Sequence, residues 1–555
     1  MTACHNRLGR TGIYSLLLLT LIAGSCNSQQ PPAPKATSPD APVPAKAAAM
    51  PTPAATATPA EVAAVQGQDH PCAGGGRWFP ADPEKLGRLV DTYLLGDVPP
   101  IARPPVALIV PHAGYQFSGP IAGKAYATLK GRTYKRVILL GLSHQVPLRG
   151  ASLVKYASYE TPLGKIPVDL EACDALLKCP VVSQVPVAHR TEHSVENQLP
   201  MLQRVVGSFK MVELLVGEMT DAERTSLADA VRPLVDSDTL IVASSDFTHY
   251  GPNYGYVPFR DRVPENLTAL NNLATMTILQ GDAGGWDAYL AKTGDTVCGR
   301  AGIGLLLRIL EPWDDARGGR VASESSGHET GDYTNSVTYT SIAFWRDAGG
   351  LTSAEQAALL KLARDTVTEF LKTGQPPKLD PAKYDLTSAL KAPGAAFVTL
   401  KNAGQLRGCI GHIVAVGPLV DSIVSNACNA CRDPRFTDHP ITEKEVPALS
   451  IEISVLSPMR RFHDFAQIKL GRDGLVMGRG QNRGVFLPQV PGEQGWNLSQ
   501  YLENLCYKAG LPVDALKDPQ TEFYKFSAQV FGEEKEKAPA AAGAKPAEKE
   551  KAAAK

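Results

Sequence analysis

The stretch Val106–Tyr115, VALIVPHAGY, decides the fold of the first half of this chain. Its first five residues are apolar and mostly β-branched, a composition typical of a strand that is buried on both faces. Pro111 ends this strand because a proline has no N–H group to donate to a sheet. His112 is therefore left in the loop at the carboxyl end of the strand.

Two further stretches repeat this design. The segment RVILLGLSH runs from a buried strand into His144, and the segment LIVASSDFTH runs from another into Asp246 and His249. Ligands of an open α/β sheet bind outside the carboxyl ends of its strands, so these residues could converge on one site. A single histidine in such a place is usually a satisfied polar residue, but three such strand ends in one domain favour a shared site.

The order of these segments along the chain predicts the fold class. Strands alternate with helical segments such as Pro83–Leu95, and this alternation is typical of an α/β sheet with helices on its faces. The segment Ser336–Trp345 alternates like a half-buried strand that would close the domain. The buried strands are predicted at residues 106–110, 136–140, 211–216 and 239–243.

The length and charge of the chain limit what it can be. A chain of 555 residues is too long for one core and predicts two or three domains. Lys and Arg together number 56, as do Asp and Glu, so the net charge carries no signature of nucleic acid or of an acidic partner. We therefore expect no nucleic-acid ligand.

Residues 1–26 are predicted to be a targeting signal rather than part of the fold. Two arginines form a positive region, and Ile13–Ala23 is apolar but too short to span a bilayer. The small residues before Cys26 resemble a bacterial lipoprotein signal. This resemblance implies that Cys26 carries a lipid and anchors an exported protein to a membrane, facing the periplasm or the cell exterior. Ala23 stands where such signals usually have leucine, so ordinary signal-peptide cleavage is the alternative.

Composition separates two tails from two globular domains. Residues 27–69 are rich in Pro, Ala, Thr and Ser and cannot bury enough apolar surface to offset their ordering entropy, so they are predicted to be a tether. Residues 533–555 form a Lys/Glu/Ala-rich tail that is predicted to be disordered. The globular domains are predicted at residues 70–348 and 351–532.

Two more stretches of the first domain carry chemistry. In TEHSVENQL, Glu192, His193 and Glu196 fall within one turn at the start of a predicted helix, where capping and solvated carboxylates are the simplest interpretation. Cys298 precedes the glycine-rich start of another helix, with Arg300 nearby. A helix N-terminus and a cation should depress the pKa of this thiol. The alternative is a buried cysteine that packs as a small apolar residue.

Metal binding accounts for this set of residues. Imidazoles together with a thiolate or a carboxylate suit a first-row transition metal, and three protein ligands leave positions open for substrate or oxygen. We expect His112, His144 and Cys298 to be the ligands. Asp246 would serve as a further ligand or as a hydrogen-bond acceptor, and His249 would transfer protons at neutral pH.

The motifs VPHAGY, GLSH, EHSVE, SSDFTH and TVCGR, in this order, resemble the signature segments of the Memo family. The stretch GGRWFP near the start of the domain is also similar to that family. The resemblance implies the fold of class III extradiol dioxygenases, which are non-haem iron enzymes, and places His112, His144 and Cys298 where Memo proteins bind copper or iron. It also implies an acid/base role for His249. The cysteine stands where the dioxygenases use a carboxylate ligand.

The remaining polar residues of these motifs are assigned roles by their position. Asp246 and His193 are expected to act with His249 as catalytic residues. The substrate, a small molecule or a peptide, is left open by the sequence. Three residues are expected to contact it: Glu192, Glu196 and Arg300.

The second domain is predicted to be α+β. Its first helix is capped by Ser353 and ended by Gly374, with the apolar residues on one face. Alternating apolar residues on either side of a turn then predict a β-hairpin. The hairpin, a second helix and a further strand are predicted at residues 395–413, 418–431 and 450–456.

The motifs LRGCIG, DPRF, EISVLSP and GVFLP of this domain resemble, in order, the AMMECR family. The resemblance implies a fold and a site but no reaction. We expect Cys409 to be a reactive thiol and the neighbouring Arg407 to bind substrate. The alternative is a buried cysteine among glycines that permit close packing.

The whole chain is thus similar to a fusion of two domains that occur with a radical-SAM protein in the AmmeMemoRadiSam system. No stretch of this sequence has the cysteine triad of a radical-SAM enzyme, so that partner would be a separate protein, and export would keep the two apart.

The sequence leaves three alternative functions open. The first is a metal-dependent redox or dioxygenase-like enzyme with iron or copper. The second is a catalytically silent binding or scaffold protein, and the third is thiol chemistry at Cys409.

Overall fold

The computed structural model describes residues 57–533 except five single positions, 97, 102, 348, 379 and 416. Several predicted features lie outside the described residues: the signal, the lipidation site Cys26, most of the tether and the tail beyond residue 533. Within the described part of the tether a short helix forms, and the N–H group of Gly67 donates to the carbonyl of Lys155 in the first domain at 2.9 Å. Across the described ranges, no helix combines the length and the apolar composition needed to cross a bilayer.

The first domain alternates strands with helices, as its sequence predicts, and the predicted strand bounds agree with the structure to within one residue. The strands are β1 Asp69–His70, β2 Pro105–Val110, β3 Arg136–Gly141, β4 Ala151–Ser152, β5 Ser158–Thr161, β6 Gly164–Pro167, β7 Val182–Ser183, β8 Lys210–Val216, β9 Thr239–Ser244, β10 His249–Tyr250, β11 Ala316–Ser325 and β12 Ser336–Arg346. The helices are α1 Pro59–Val65, α2 Pro83–Leu94, α3 Tyr115–Ala127, α4 Leu170–Leu176, α5 Pro186–His189, α6 His193–Glu196, α7 Leu199–Val205, α8 Asp221–Val231, α9 Val263–Leu279, α10 Ala283–Thr293, α11 Arg300–Leu310 and α12 Ser326–Thr330.

Parallel strands form the middle of a nine-stranded sheet with the order β10-β12-β2-β9-β3-β8-β4-β7, in which β11 also pairs with β12. The strands β2, β9, β3 and β8 run parallel, and their residues are almost all buried because helices cover both faces. One group of helices contains α2, α3 and α7, and a second contains α8, α10 and α11. The strands β2, β3 and β9 therefore end at the same edge of the sheet. This arrangement confirms the α/β prediction.

The second domain pairs helices with an antiparallel seven-stranded sheet, which confirms the α+β prediction. The strand order is β14-β13-β15-β19-β17-β18, with β16 paired to β19. The strands are β13 Ala395–Asn402, β14 Gln405–Gly411, β15 Leu449–Leu456, β16 Arg460–Arg461, β17 Asp473–Arg479, β18 Asn482–Phe486 and β19 Glu522–Gly532. The helices are α13 Ser353–Thr373, α14 Ser388–Lys391, α15 Leu419–Cys431, α16 Val490–Gln494 and α17 Leu498–Lys508.

The first helix of this domain shows where local prediction was right and where it was wrong. The helix α13 ends at Gly374, whose φ of 71° is the left-handed conformation that glycine adopts easily, as predicted. Its N-cap, however, is Thr352 and not Ser353. The Thr352 hydroxyl accepts from the N–H group of Glu355, whose carboxylate accepts from the Thr352 N–H group in return. This reciprocal capping box stabilises the first turn.

Charged side chains connect the two domains. Arg460 donates to the carbonyl of Trp313, just beyond the C-terminus of α11, at 2.6 Å. In the loop before β2, Arg103 donates to Glu355 of α13 at 3.2 Å. The second domain therefore contacts the amino end of β2 and the C-terminal end of α11. These are the ends that lie away from His112 and Cys298.

Candidate metal centre

Two parallel strands bring the first pair of site residues together. The strands β2 and β9 are in register, with Val110 opposite Ser244, so His112 and Asp246 each follow two residues after a paired position. The N–H groups of His112 and Ala113 donate to Oδ1 of Asp246 at 2.8 and 3.2 Å. Burial raises the pKa of the Asp246 carboxyl. Hydrogen bonds thus join the backbone that follows β2 to the side chain of Asp246, which follows β9.

His112 is buried at the centre of the site. Its Nδ1 lies 2.9 Å from Oγ of Ser244, and its Nε2 lies 3.3 Å from Sγ of Cys298. Burial, together with the positive charge of the neighbouring His144, lowers the pKa of His112 to about 3. The ring is therefore neutral at pH 7, which is the form that binds a metal ion.

His144 and His193 share one buried carboxylate. Oε1 of Glu192 lies 2.8 Å from Nδ1 of His144 and 3.5 Å from Nδ1 of His193, and Oε2 accepts from the N–H group of His144 at 2.7 Å. Burial alone raises the pKa of Glu192, but the hydrogen bonds and charge of His144 lower it to about 2. The two rings stack with centroids 4.5 Å apart. Because Nδ1 of each ring faces Glu192, each Nε2 atom points away from that carboxylate. A carboxylate on Nδ1 is the usual device that orients a metal-binding histidine.

Trp78, which has no predicted role, forms a wall of the site. Trp78 stacks on His193 with ring centroids 4.0 Å apart, and the guanidinium carbon of Arg77 lies 5.2 Å from the Trp78 ring centroid. Burial and the charges of neighbouring histidines lower the pKa of His193 to about 3. The only signal in the sequence was the presence of Trp78 in the GGRWFP stretch, and no local pattern connects that stretch to His193.

The predicted depression of the pKa of Cys298 is wrong. The helix α11 begins just after the thiol, with Gly299 as its N-cap, as predicted. Burial and the negative charge of Asp246 nevertheless raise the pKa of Cys298. Arg300 does not oppose this effect because its guanidinium pairs with Glu218 at 2.8 Å on the surface. A bound metal ion would supply the positive charge that a Cys298 thiolate needs.

His249 has the geometry of a proton acceptor. Its Nδ1 lies 2.9 Å from the carbonyl of Phe247 and 3.1 Å from the carbonyl of Thr296. Carbonyls only accept hydrogen bonds, so Nδ1 carries a hydrogen, and in the neutral form of the ring Nε2 has a free lone pair. The ring meets Tyr254 edge to face, with centroids 5.1 Å apart. The predicted acid/base role requires this tautomer.

The candidate ligand atoms form two overlapping groups. Those of His112, His144 and His193 lie within 4.8 Å of one another, and so do those of His112, Asp246 and Cys298. A ring nitrogen has one lone pair and binds one ion, so an ion held by His112 could draw its other ligands from either group. Imidazoles with a thiolate or a carboxylate fit a first-row transition metal. His112 belongs to both groups, whereas His144 and Cys298 belong to different groups, so the predicted ligand set of His112, His144 and Cys298 stays a prediction. His193 is a further candidate ligand.

Two residues predicted to contact substrate have other partners. The expectation that the carboxylates of Glu192 and Glu196 are solvated is wrong, because both side chains are buried. The carboxylate of Glu196 accepts from the N–H groups of Ala73 and Gly74 at 3.1 and 2.8 Å and from the Cys72 thiol at 3.0 Å. It anchors the loop before α2 to the helix that carries His193. Substrate contact by Glu192, Glu196 and Arg300 stays a prediction.

Cys409, the predicted reactive thiol of the second domain, lies in the hairpin formed by β13 and β14. Cys409 of β14 is opposite Thr399 of β13, whose hydroxyl donates to the sulfur at 3.1 Å. The N–H group of Cys409 donates to Asp433 at 2.9 Å. Burial raises the pKa of Cys409, which disfavours the thiolate that a nucleophile requires.

The neighbours of Cys409 favour close packing. A Cβ atom at Gly408 would lie 2.0 Å from the carbonyl oxygen of Ala430, so only glycine allows α15 to approach β14 here. Arg407 pairs with Glu445 at 3.2 Å rather than facing an open site. These contacts favour the interpretation in which the glycines and the cysteine serve packing, and substrate binding by Arg407 stays a prediction.

Comparison with known families assigns both halves of the chain. The family model described as Memo-like protein matches residues 71–343. The family model described as AMMECR1 matches residues 360–531. The two matches follow one another in the order that the sequence motifs predict.

The individual relatives each match only part of this chain. A MEMO1 family protein of Methanopyrus kandleri is 31% identical over 287 residues, which is 49% of this chain and 97% of its own. A protein of Methanothermobacter thermautotrophicus is 39% identical over 191 residues, 33% of this chain and 97% of its own. The crystal structure of an uncharacterized protein from Pyrococcus horikoshii has 38% identity and a TM-score of 0.28, covering 33% of this chain and 92% of that one.

Proposed function

Because the chain belongs to the Memo family through residues 71–343 and to the AMMECR1 family through residues 360–531, we propose that its first domain is a metal-dependent enzyme of redox or dioxygenase-like chemistry. One observation carries the proposal: imidazole, thiol and carboxylate donors from separate loops meet within 4.8 Å. They meet at the carboxyl edge of a parallel sheet, where ligands of α/β proteins bind.

Iron or copper is the proposed metal. A site that uses Asp246 together with two histidines would match the two-histidine, one-carboxylate arrangement of non-haem iron oxygenases. A site that uses Cys298 would suit copper, because thiolates are soft ligands. In both cases His112 and His144 would hold the ion, with His193 as a further imidazole. His144 and His193 belong to one donor group and Asp246 and Cys298 to the other, and His112 is common to both groups.

The remaining residues bind, orient and move protons. A bound metal ion would supply Lewis acidity and electron transfer at the open position of the site. His249 accepts the proton of a substrate hydroxyl through Nε2, because its Nδ1 donates to backbone carbonyls. Trp78 covers one face of His193 and limits the access of water from that side.

Metal content of the mature protein, purified without oxygen, tests this proposal. We expect about one iron or copper ion per chain, and we expect the His112→Ala/His144→Ala double variant to lose it. The matched control is His328→Ala/His439→Ala, which removes two exposed imidazoles and should keep the metal. The loaded protein would then be tested for oxygen consumption with catechol-like substrates.

Absence of a bound metal would favour a binding or scaffold function over an enzymatic one. If the protein contains no metal and takes up neither iron nor copper, the enzyme proposal is refuted. The chain would then be a binding or scaffold protein for a small molecule or a peptide. Retention of a metal without oxygen consumption would instead indicate a structural ion in such a binding protein.

We further propose that the protein is exported and anchored to a membrane through a lipid on Cys26. This proposal is supported by the lipoprotein-like signal alone and concerns residues outside the described ranges. Cys26→Ala is expected to move the protein from the membrane fraction to the soluble exported fraction. A cytoplasmic wild-type protein would contradict export and would make a separate radical-SAM protein an accessible partner.

A further inference from the structure

The hydroxyl of Ser244 has more neighbours than it has hydrogens. Its Oγ lies beside the carbonyl of Ser194, 2.8 Å from Nε2 of Gln198 and 2.9 Å from Nδ1 of His112. The carbonyl of Ser194 can only accept, so the single Ser244 hydrogen goes there. The two lone pairs of Oγ must then accept from the other two groups. Nδ1 of His112 therefore carries a hydrogen.

The orientation of the Gln198 amide is determined in the same way. Nε2 of Gln198 lies 3.1 Å from the carbonyl of Pro111, which only accepts, so the NH₂ group and not the oxygen must face it. The amide oxygen then faces the hydroxyl of Tyr126, which donates to it at 2.7 Å. Both amide hydrogens and the amide oxygen are engaged, and all these side chains are buried. An amide flip would place two oxygens against each other.

We propose that Ser244 and Gln198 are positioning residues that hold His112 in the tautomer with hydrogen on Nδ1 and a bare Nε2. This inference rests on the proposed function, since it assigns the two residues to the same metal centre. Nε2 of His112 is the atom that lies beside Cys298, and it is the nitrogen that must ligate. With the other tautomer, Nε2 would carry a hydrogen and could not bind an ion. Partners of this kind typically change metal affinity by about 10- to 100-fold.

Titration of the full-length protein with Co²⁺, followed by its visible absorption, tests the inference. Ser244→Ala removes the acceptor for His112 and is expected to weaken Co²⁺ binding by about 10- to 100-fold, with a changed absorption band. The matched control is Ser341→Ala, which removes another buried hydroxyl that donates to a carbonyl, that of Ile121, at 2.9 Å. This control should bind Co²⁺ as the wild type does.

The outcomes separate this inference from the proposed function. If Ser244→Ala binds Co²⁺ as tightly as the wild type while His112→Ala/His144→Ala does not bind it, the positioning role is refuted and the metal centre stands. If the wild type itself does not bind Co²⁺, the positioning role is refuted, whereas the proposed function is decided by the iron and copper content of the protein. Should the alanine variant fail to fold, Ser244→Cys keeps a side chain of similar size with a much weaker acceptor. It is expected to weaken binding in the same direction, and unchanged binding would refute the role.

Discussion

Replacement of Glu192 by glutamine is the perturbation that examines the metal centre most directly. Three N–H groups point at this carboxylate: those of Nδ1 of His144 and the Ser194 backbone at Oε1, both at 2.8 Å, and the His144 backbone at Oε2, at 2.7 Å. Glutamine has only one acceptor oxygen. In either orientation of its amide, an NH₂ group meets at least one N–H group.

The expected losses of stability and of metal affinity follow from this missing acceptor. One buried donor left without an acceptor costs about 1–3 kcal/mol of stability. If His144 instead changes tautomer to accept from the amide, its Nε2 gains the hydrogen and cannot bind the ion. Loss of the carboxylate partner should then weaken metal binding by about 10- to 100-fold. We expect both effects in Glu192→Gln.

Glu196→Gln is the matched control in the same helical turn. Its carboxylate also accepts three donors, but they belong to the loop of residues 72–74 and not to a histidine. It should lose a similar amount of stability and keep its metal affinity. Urea denaturation measures the first quantity, and competition with a chelator for the bound metal measures the second. Equal metal affinity in Glu192→Gln and wild type, or an equal loss of metal affinity in both variants, would show that Glu192 does not orient a metal ligand.

Three further predictions concern the ligands, the domain contact and the dependence on pH. Cys298→Ser should abolish a sulfur-to-metal charge-transfer band of the Co²⁺ or copper protein, whereas His193→Gln should keep it; a band that survives Cys298→Ser would exclude the thiolate as ligand. Arg460→Ala should lower the free energy of unfolding by about 1–3 kcal/mol, because it leaves the carbonyl of Trp313 at the domain contact without its charged donor; urea denaturation measures this loss, which should not occur for the exposed Arg88→Ala. Burial alone raises the pKa of Glu355, but hydrogen bonds from Arg103, Thr387 and Thr352 lower it to about 2. Because the pKa is lower in the folded protein, this stability is complete above the ordinary pKa of 4.5 and is lost as pH falls from there toward 2. As the pH falls over that range, the free energy of unfolding should decrease more in the wild type than in Glu355→Gln, by up to about 3 kcal/mol. Identical dependence of the free energy of unfolding on pH in the two proteins would contradict this.

Much of the fold could be predicted because its signals are local. Apolar runs such as Val106–Val110 and the proline that follows determine where a strand lies and where it ends. The hairpin turn of the second domain is equally local: Ala403 and Gly404 have φ of 48° and 81°, the conformation that a two-residue hairpin turn requires. Such features depend on residues a few positions apart, so they are visible in the chain itself.

Part of the site was predictable for a related reason. Parallel strands in register end together, so residues that follow β2, β3 and β9 had to share one edge of the sheet. This places His112, His144 and Asp246 near one another before any side chain is positioned. The roles of His193 and Trp78 in the site could not be read in this way, because their stacking joins loops that no sequence period connects.

The strands, the order of the domains and the edge of the sheet where the site lies could all be predicted from the amino-acid sequence alone. The protonation and hydrogen bonding of the ionisable groups at that site depend instead on the folded structure. Position at a helix terminus suggested a lowered pKa for Cys298, but burial beside Asp246 raises it. The tautomer of His112 likewise depends on Ser244 and Gln198, which reach it from other segments. Burial and hydrogen bonding are properties of the folded surroundings, and those surroundings come from residues far apart in the chain.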